Sequence, residues 1–191
     1  MPNWCSNRLT VSHSDLAAIQ RIQTAFNEKK LLNEFVPQPD PAIEANLDWY
    51  FWRLENWGTK WDVGGDDFVI EGYTQDKNHC LLLYFDSAWS PPLKVYEAMA
   101  NLDYVIEATY YEPGIGFVGE WTSENGDEYY EFEMTAESIA ELPEHLVDEY
   151  GIELDEDESD DQDLEQELDE IRALEEAIPD HEDLDLPPHT D

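Results

Sequence analysis

This 191-residue chain is short of positive charge: nine Lys and Arg stand against forty-seven Asp and Glu, a formal net charge of −38 at pH 7. A surface of that sign repels phosphodiester backbones and anionic lipid headgroups, and attracts basic proteins or cations over a Debye length of roughly 10 Å. Direct binding to nucleic acid or to a membrane surface is therefore not expected. Cysteine is scarce too, and Cys5 and Cys80 do not make a disulfide framework. No apolar run approaches the roughly 20 residues that span a bilayer. The opening MPNWCSNRLTV has neither the basic nor the apolar region of a signal peptide. The expectation is a soluble cytoplasmic protein.

Catalytic signatures are missing as well. The sequence has no G-x-S-x-G, H-E-x-x-H, phosphate loop or G-x-G-x-x-G. GIGFVG, Gly114 to Gly119, has a glycine rhythm, but its spacing is wrong and it leads into a strand. Cys5, His79 and Cys80 lack the paired short spacing of zinc ligands. The acidic run from Asp155 to Asp163 lacks the central glycine and terminal glutamate of an EF-hand loop. Carboxylate pairs such as Glu131 and Glu133 are too common in so acidic a chain to mark acid–base chemistry. No catalytic residue, metal or cofactor is expected.

What is there is unevenly spread. Residues 1–100 hold fourteen acids and eight bases, residues 101–150 fourteen acids and no base, and residues 151–191 nineteen acids with Arg172 alone. The last stretch is too charged and too poor in aromatics to fold by itself. Within it Leu164, Leu168, Ile171, Leu174 and Ile178 keep helical spacing. The pattern divides the chain into a folded domain over 1–150 and an acidic, largely disordered tail over 151–191 with a short amphipathic helix near 163–178.

In the body, RLTVSH (Arg8 to His13) alternates like a strand, and the next segment repeats Leu16, Ile19, Ile22 and Phe26 like an amphipathic helix. EFVPQPDP interrupts regular structure, and the aromatic run from Ile43 to Trp57 reads as helical. DFVIEGY and HCLLLYF read as strands. In SPPLKVYEAMANL, Ser90 is placed to cap a helix with Pro91 in its first turn. DYVIEATYY is a further strand, with Ile106, Ala108 and Tyr110 facing one way. IGFVGEW and EYYEFEM form a hairpin, Asn125-Gly126 suiting a type I′ turn, before the short helix TAESIAEL. This order predicts an α+β fold of ferredoxin-like type: an antiparallel sheet with helices on one face, an aromatic-rich insertion and an extra C-terminal hairpin.

Four of the seven tryptophans fall in WYFWRLENWGTKWD, Trp49 to Asp62. One reading buries Trp57 and Trp61 against the sheet, with Gly58 in a tight turn and Lys60 paired to Asp62 or another acid. The other makes a ligand pocket from Trp57, Lys60, Trp61, Asp62, Trp89 and Ser90, with the rings as stacking walls and Lys60 as an anion clamp.

PNWCSN at Pro2, NWGTKWD at Asn56, SAWSPP at Ser87 and YEPGIGFVG at Tyr111 occur in the order seen in the YubB-type ferredoxin-like family, which the chain resembles over roughly residues 2–135. That family belongs to bacterial plasmids and phages and has no assigned function. The resemblance implies the ferredoxin-like shape without an iron–sulfur cluster, and a mobile-element origin in the bacterial cytosol. It implies no catalytic residues and does not extend to the acidic tail. Such acidic proteins can imitate DNA by offering carboxylates where a partner expects phosphates. The expected partner surface is Glu124, Asp127, Glu128, Glu131 and Glu133 on the hairpin, Glu137 and Glu141 after it, and Asp155, Glu156 and Asp157 in the tail. The expected partner is a basic, nucleic-acid-binding protein of host defence or nucleic-acid handling. The alternative is a binder of a small molecule or anion at the tryptophans, as receptor or enzyme.

Overall fold

The structure, a computed structural model, describes residues 3–40, 48–65, 70–75 and 77–154. The chain divides into two compact units, Met1–Glu153 and Leu154–Asp191. The tail from residue 155 onward, with its expected helix near 163–178, lies outside the described residues.

Twelve elements follow one another in the described residues: β1 (Trp4–His13), α1 (Leu16–Asn27), α2 (Leu31–Phe35), α3 (Trp49–Asn56), β2 (Ile70–Gln75), β3 (Asn78–Ala88), α4 (Leu93–Ala100), β4 (Val105–Glu112), β5 (Phe117–Thr122), β6 (Gly126–Glu131), α5 (Ala136–Ala140) and α6 (Glu144–Tyr150). The strands make one six-stranded sheet in the order β2-β3-β1-β4-β5-β6, antiparallel throughout. No described helix is long and apolar enough to cross a membrane.

The period-2 pattern of β1 explains why it is central. Leu9 lies opposite Leu83 on β3 and Ala108 on β4, and Val11 opposite Leu81 and Ile106; all six are buried. Onto that face pack Ile19, Ile22 and Phe26 of α1, Leu31, Leu32 and Phe35 of α2, and Val95, Tyr96 and Met99 of α4. Each helix buries one apolar stripe there, the largest favourable term available to a domain of this size. α1 starts where the Asp15 carboxylate accepts the Ala17 N–H at 2.9 Å, an ordinary N-cap.

Three local expectations are corrected. The helices do not all lie on one face. Val118, which points away from the α1–α4 core, packs with Phe132, Leu142, Leu146 and Ile152, so the segment after β6 crosses to the opposite face. There Tyr150 Oη donates to Thr109 Oγ1 at 3.0 Å, and Thr109 in turn donates to Glu149 at 3.0 Å. Ser90 does not cap α4: its hydroxyl donates to the Gly58 carbonyl at 2.5 Å, and the helix starts two residues later with Pro92 at its N-cap and no side-chain cap. The β5–β6 connection is not type I′, which needs two central residues at positive φ. Thr122 pairs with Gly126 across three loop residues, Asn125 has no positive φ, and Gly126 alone is left-handed at φ 77°. That is a three-residue loop closed by a left-handed glycine at the first paired position of β6.

Candidate functional site

The aromatic insertion is built around three side chains that work inside the fold. Trp57 is 1% exposed; its indole N–H donates to the Val36 carbonyl at 2.8 Å. The Arg53 guanidinium lies 4.7 Å from its ring centroid. Asp62 accepts from the backbone N–H groups of Leu32 (2.7 Å), Asn33 (3.1 Å) and Val63 (2.9 Å). It thus caps α2 from thirty residues away, where Lys30 at the N-cap supplies no side-chain bond. Burial raises its pKa, opposed by those three amides and by the Arg53 charge.

Lys60 is the third. Its ammonium lies 4.6 Å from the Trp61 ring centroid, 5.4 Å from Trp89 and 5.6 Å from Tyr50. Among the described residues it joins no ion pair, neither with Asp62 nor with another acid. In a chain this acidic the choice of three rings over a carboxylate is unusual, and it means the lysine is already seated as the cation of an aromatic cage. Trp89 reaches that cage through a backbone φ of 70°, which bulky residues rarely adopt, held by its N–H donating to the Asn3 carbonyl at 2.9 Å.

Of the six residues expected to line a pocket, Lys60, Trp61 and Trp89 therefore meet at the cage, but no one hollow takes in all six. Trp57 is in the core. Trp61 and Asp62 border a hollow of about 490 Å³ with Trp4, Lys29 and Asp86; the Trp4 and Trp61 rings are 5.7 Å apart. Trp89 and Ser90 border a different hollow of about 480 Å³, a groove that also takes in Leu93, Tyr110, Ile115, Phe117 and Tyr129. The second hollow joins the tryptophan region to the acidic hairpin.

The seven of the expected acidic residues that are described are exposed, yet they do not form one patch. Glu124 is in the β5–β6 loop. Asp127 and Glu131 lie opposite Trp121 and Phe117 and share their face of the sheet, while Glu128, opposite Glu120, lies on the other. Glu133 falls beyond the end of β6, so strand alternation does not pair it with Glu131; its N–H donates to Ser138 Oγ at 3.1 Å. Glu137 is in the first turn of α5 and Glu141 at its C-cap. Asp155, Glu156 and Asp157 lie outside the described residues.

Two of these carboxylates are tied to the groove by tyrosines that sequence reasoning missed. Tyr110 donates to Asp127 at 2.6 Å across the intervening strand β5. It can do so because the residue opposite Tyr110 on β5 is Gly119: a Cβ there would fall 2.4 Å from the Tyr110 hydroxyl. Tyr129 donates to Glu131 at 3.1 Å, and its ring lies 5.3 Å from Phe117 at a tilt of 37°. Burial, then the bond to Glu131, pushes the Tyr129 hydroxyl up to about 12. Burial, then the bond to Asp127, pushes Tyr110 up strongly as well, so both hydroxyls stay donors. Ile115 and Trp4 were also missed as site residues; Trp4 stood in the PNWCSN island, and Ile115-x-Phe117 carried the alternation that puts both at the groove.

Among the described residues no group of three His, Cys, Asp or Glu is placed to hold a metal ion. Comparison with known protein families, with curated proteins and with solved structures returned no match.

Proposed function

We propose that this chain is a non-enzymatic acidic binding protein of a bacterial mobile element. It acts in the cytoplasm of the host cell by occupying the basic surface of a nucleic-acid-binding protein, in the manner of a DNA mimic. One observation carries the reading: residues 101–150, from β4 through α6, supply fourteen acids and no Lys or Arg. The described ion pairs that reach these acids are Arg8 with Glu149 at 3.6 Å and His145 with Glu120 at 3.3 Å. Of the other twelve, Glu112 is buried and accepts from the Gly114 and Ile115 N–H groups, and eleven face solvent, where they steer a cationic partner and meet its phosphate-binding residues. The order β2-β3-β1-β4, extended by β5 and β6, supports a ferredoxin-like plan. The resemblance to the YubB-type family supports the mobile-element setting.

The test is capture from bacterial lysate on the immobilised full chain, eluted from low to high salt, beside the variant with Glu128, Glu131 and Glu133 each changed to Gln. A basic nucleic-acid-binding protein should be retained by the first, released by salt, and missed by the second. Retention untouched by the three substitutions would sink the reading.

A second reading has its own support in the 490 Å³ hollow, where Trp4 and Trp61 offer ring surface and Lys29 a cation. It makes the chain a receptor for a small planar anion, and predicts quenching of tryptophan fluorescence by aromatic carboxylates that Trp61→Ala abolishes.

A further inference from the structure

The groove between the Trp89 turn and the hairpin is apolar in the half of the molecule that is otherwise most charged. Tyr110 and Phe117 are buried beneath it, while Ile115 is 62% and Tyr129 46% exposed along its open side. Two large side chains left in water beside a hollow of about 480 Å³ make a surface that gains by being covered. That volume lies within the roughly 300–1,000 Å³ of sites that enclose a ligand group. The far wall is Trp89, held at φ 70°. Backbone strain of this kind persists where the surroundings impose it, and binding sites are where it collects.

The groove carries one cation, Lys94, on its α4 side, and on the hairpin side its charge is negative. Asp127 and Glu131 flank Tyr129 on the same face of β6, and their tyrosine donors hold them in place. The nearby cations are committed elsewhere: the Lys94 ammonium donates to the Glu55 carbonyl, and the Lys60 ammonium sits among Tyr50, Trp61 and Trp89. An apolar hollow rimmed by two carboxylates complements an apolar side chain rimmed by two cations.

We propose that this groove is the anchor site for the basic partner. It takes one large apolar side chain, aromatic or long aliphatic, whose neighbours in the partner are Lys or Arg that meet Asp127 and Glu131. The inference rests on the reading of the acidic surface given above and adds what that reading lacks, a source of selectivity. Exposed carboxylates alone steer every basic surface, whereas a desolvated pocket at the centre of a charged rim discriminates among them.

The experiment titrates the full chain by calorimetry with three acetylated and amidated peptides, Lys-Arg-Trp-Arg-Lys, Lys-Arg-Ala-Arg-Lys and Glu-Glu-Trp-Glu-Glu. The first should bind about tenfold more tightly than the second, a difference of about 1.4 kcal/mol, and the third should not bind. Ile115→Ser, at an exposed position, should erase the preference for tryptophan and leave the salt-dependent binding of the basic peptides. Equal affinity for the two basic peptides overturns the anchor site while the acidic-surface reading stands. Failure of both to bind overturns the two together. Binding of the acidic tryptophan peptide as tightly as the basic one overturns the role of the flanking cations. A dimer of the chain alone, seen by sedimentation and removed by Ile115→Ser, assigns the groove to a second copy and overturns the proposal.

Discussion

Gly119 decides the local architecture of the hairpin face. A methyl group there would fall 2.4 Å from the Tyr110 hydroxyl, 2.5 Å from its Cζ and 2.6 Å from the Glu128 carbonyl, and the last of these is backbone that cannot rotate away. Gly119→Ala is expected to cost about 2–3 kcal/mol in urea unfolding, through overpacking and loss of the Tyr110–Asp127 bond. Gly126 shows the contrast, since nothing lies within 4 Å of a Cβ built there and only its left-handed φ restricts substitution. Cys5 behaves as a core residue in the same quantitative way. Burial pushes its thiol up to about 12, against about 8.5 for a free cysteine. At pH 8 its thiolate is a fraction on the order of 10⁻⁴, so iodoacetamide should modify it only after denaturant is added. The sign of the stability effect follows. The folded state holds the proton more tightly, so this contribution is intact below about pH 8.5 and is lost as pH rises toward 12, at about 1.4 kcal/mol per pH unit. Cys5→Ala should flatten that decline in stability; an unchanged slope would place the alkaline loss on the tyrosines alone.

At the scale of elements, what sequence reasoning reached and missed divides by range. β1, α1 and β4 were legible because period and burial coincide: Ile19, Ile22 and Phe26 face the core at helical spacing, and Ile106, Ala108 and Tyr110 at strand spacing. The hairpin was legible in position and not in turn type, because Asn125-Gly126 suits both a type I′ turn and a longer loop closed by a left-handed glycine, and only the register across Thr122 and Gly126 separates them. The crossing of α6 to the second face was hidden, since the partners of Val118 are supplied by residues 132–152. The site was legible only in part. Lys60 was grouped with Trp61 and Trp89, whose rings it does meet, while Tyr50 on α3 is the third ring that the grouping left out. Asp62 looked like the partner of Lys60 until α2 claimed the carboxylate. That assignment is testable: Asp62→Ala leaves the N–H groups of Leu32, Asn33 and Val63 without their acceptor. It should destabilise the domain by about 2–3 kcal/mol. Amides of residues 31–35 should lose hydrogen-exchange protection while those of β1 and β4 keep theirs. Uniform loss across the sheet would instead make Asp62 part of the global core.

At the scale of the molecule the governing quantity is self-repulsion. Residues 1–150 alone carry twenty-eight acids against eight bases, and among the described residues four ion pairs offset them, each exposed or half-exposed. Such pairs are worth at most about 1 kcal/mol each, so they cannot cancel a field of one sign. Screening can: the Debye length shortens from about 30 Å at 0.01 M salt to about 3 Å at 1 M. Raising NaCl across that range should therefore stabilise the folded chain, by about 1–2 kcal/mol or roughly 2–8 °C in Tm for a domain of this size. The same salt should weaken the binding of basic peptides, because the charge that strains the free protein is the charge that attracts the partner. The two effects have opposite signs and one cause, which makes them informative as a pair. A Tm that stays flat with salt, measured by calorimetry beside the peptide titration, would mean that the carboxylates are already neutralised by protons or bound cations. They would then have no field with which to stand in for phosphates, and salt-sensitive capture of a basic protein would need another explanation.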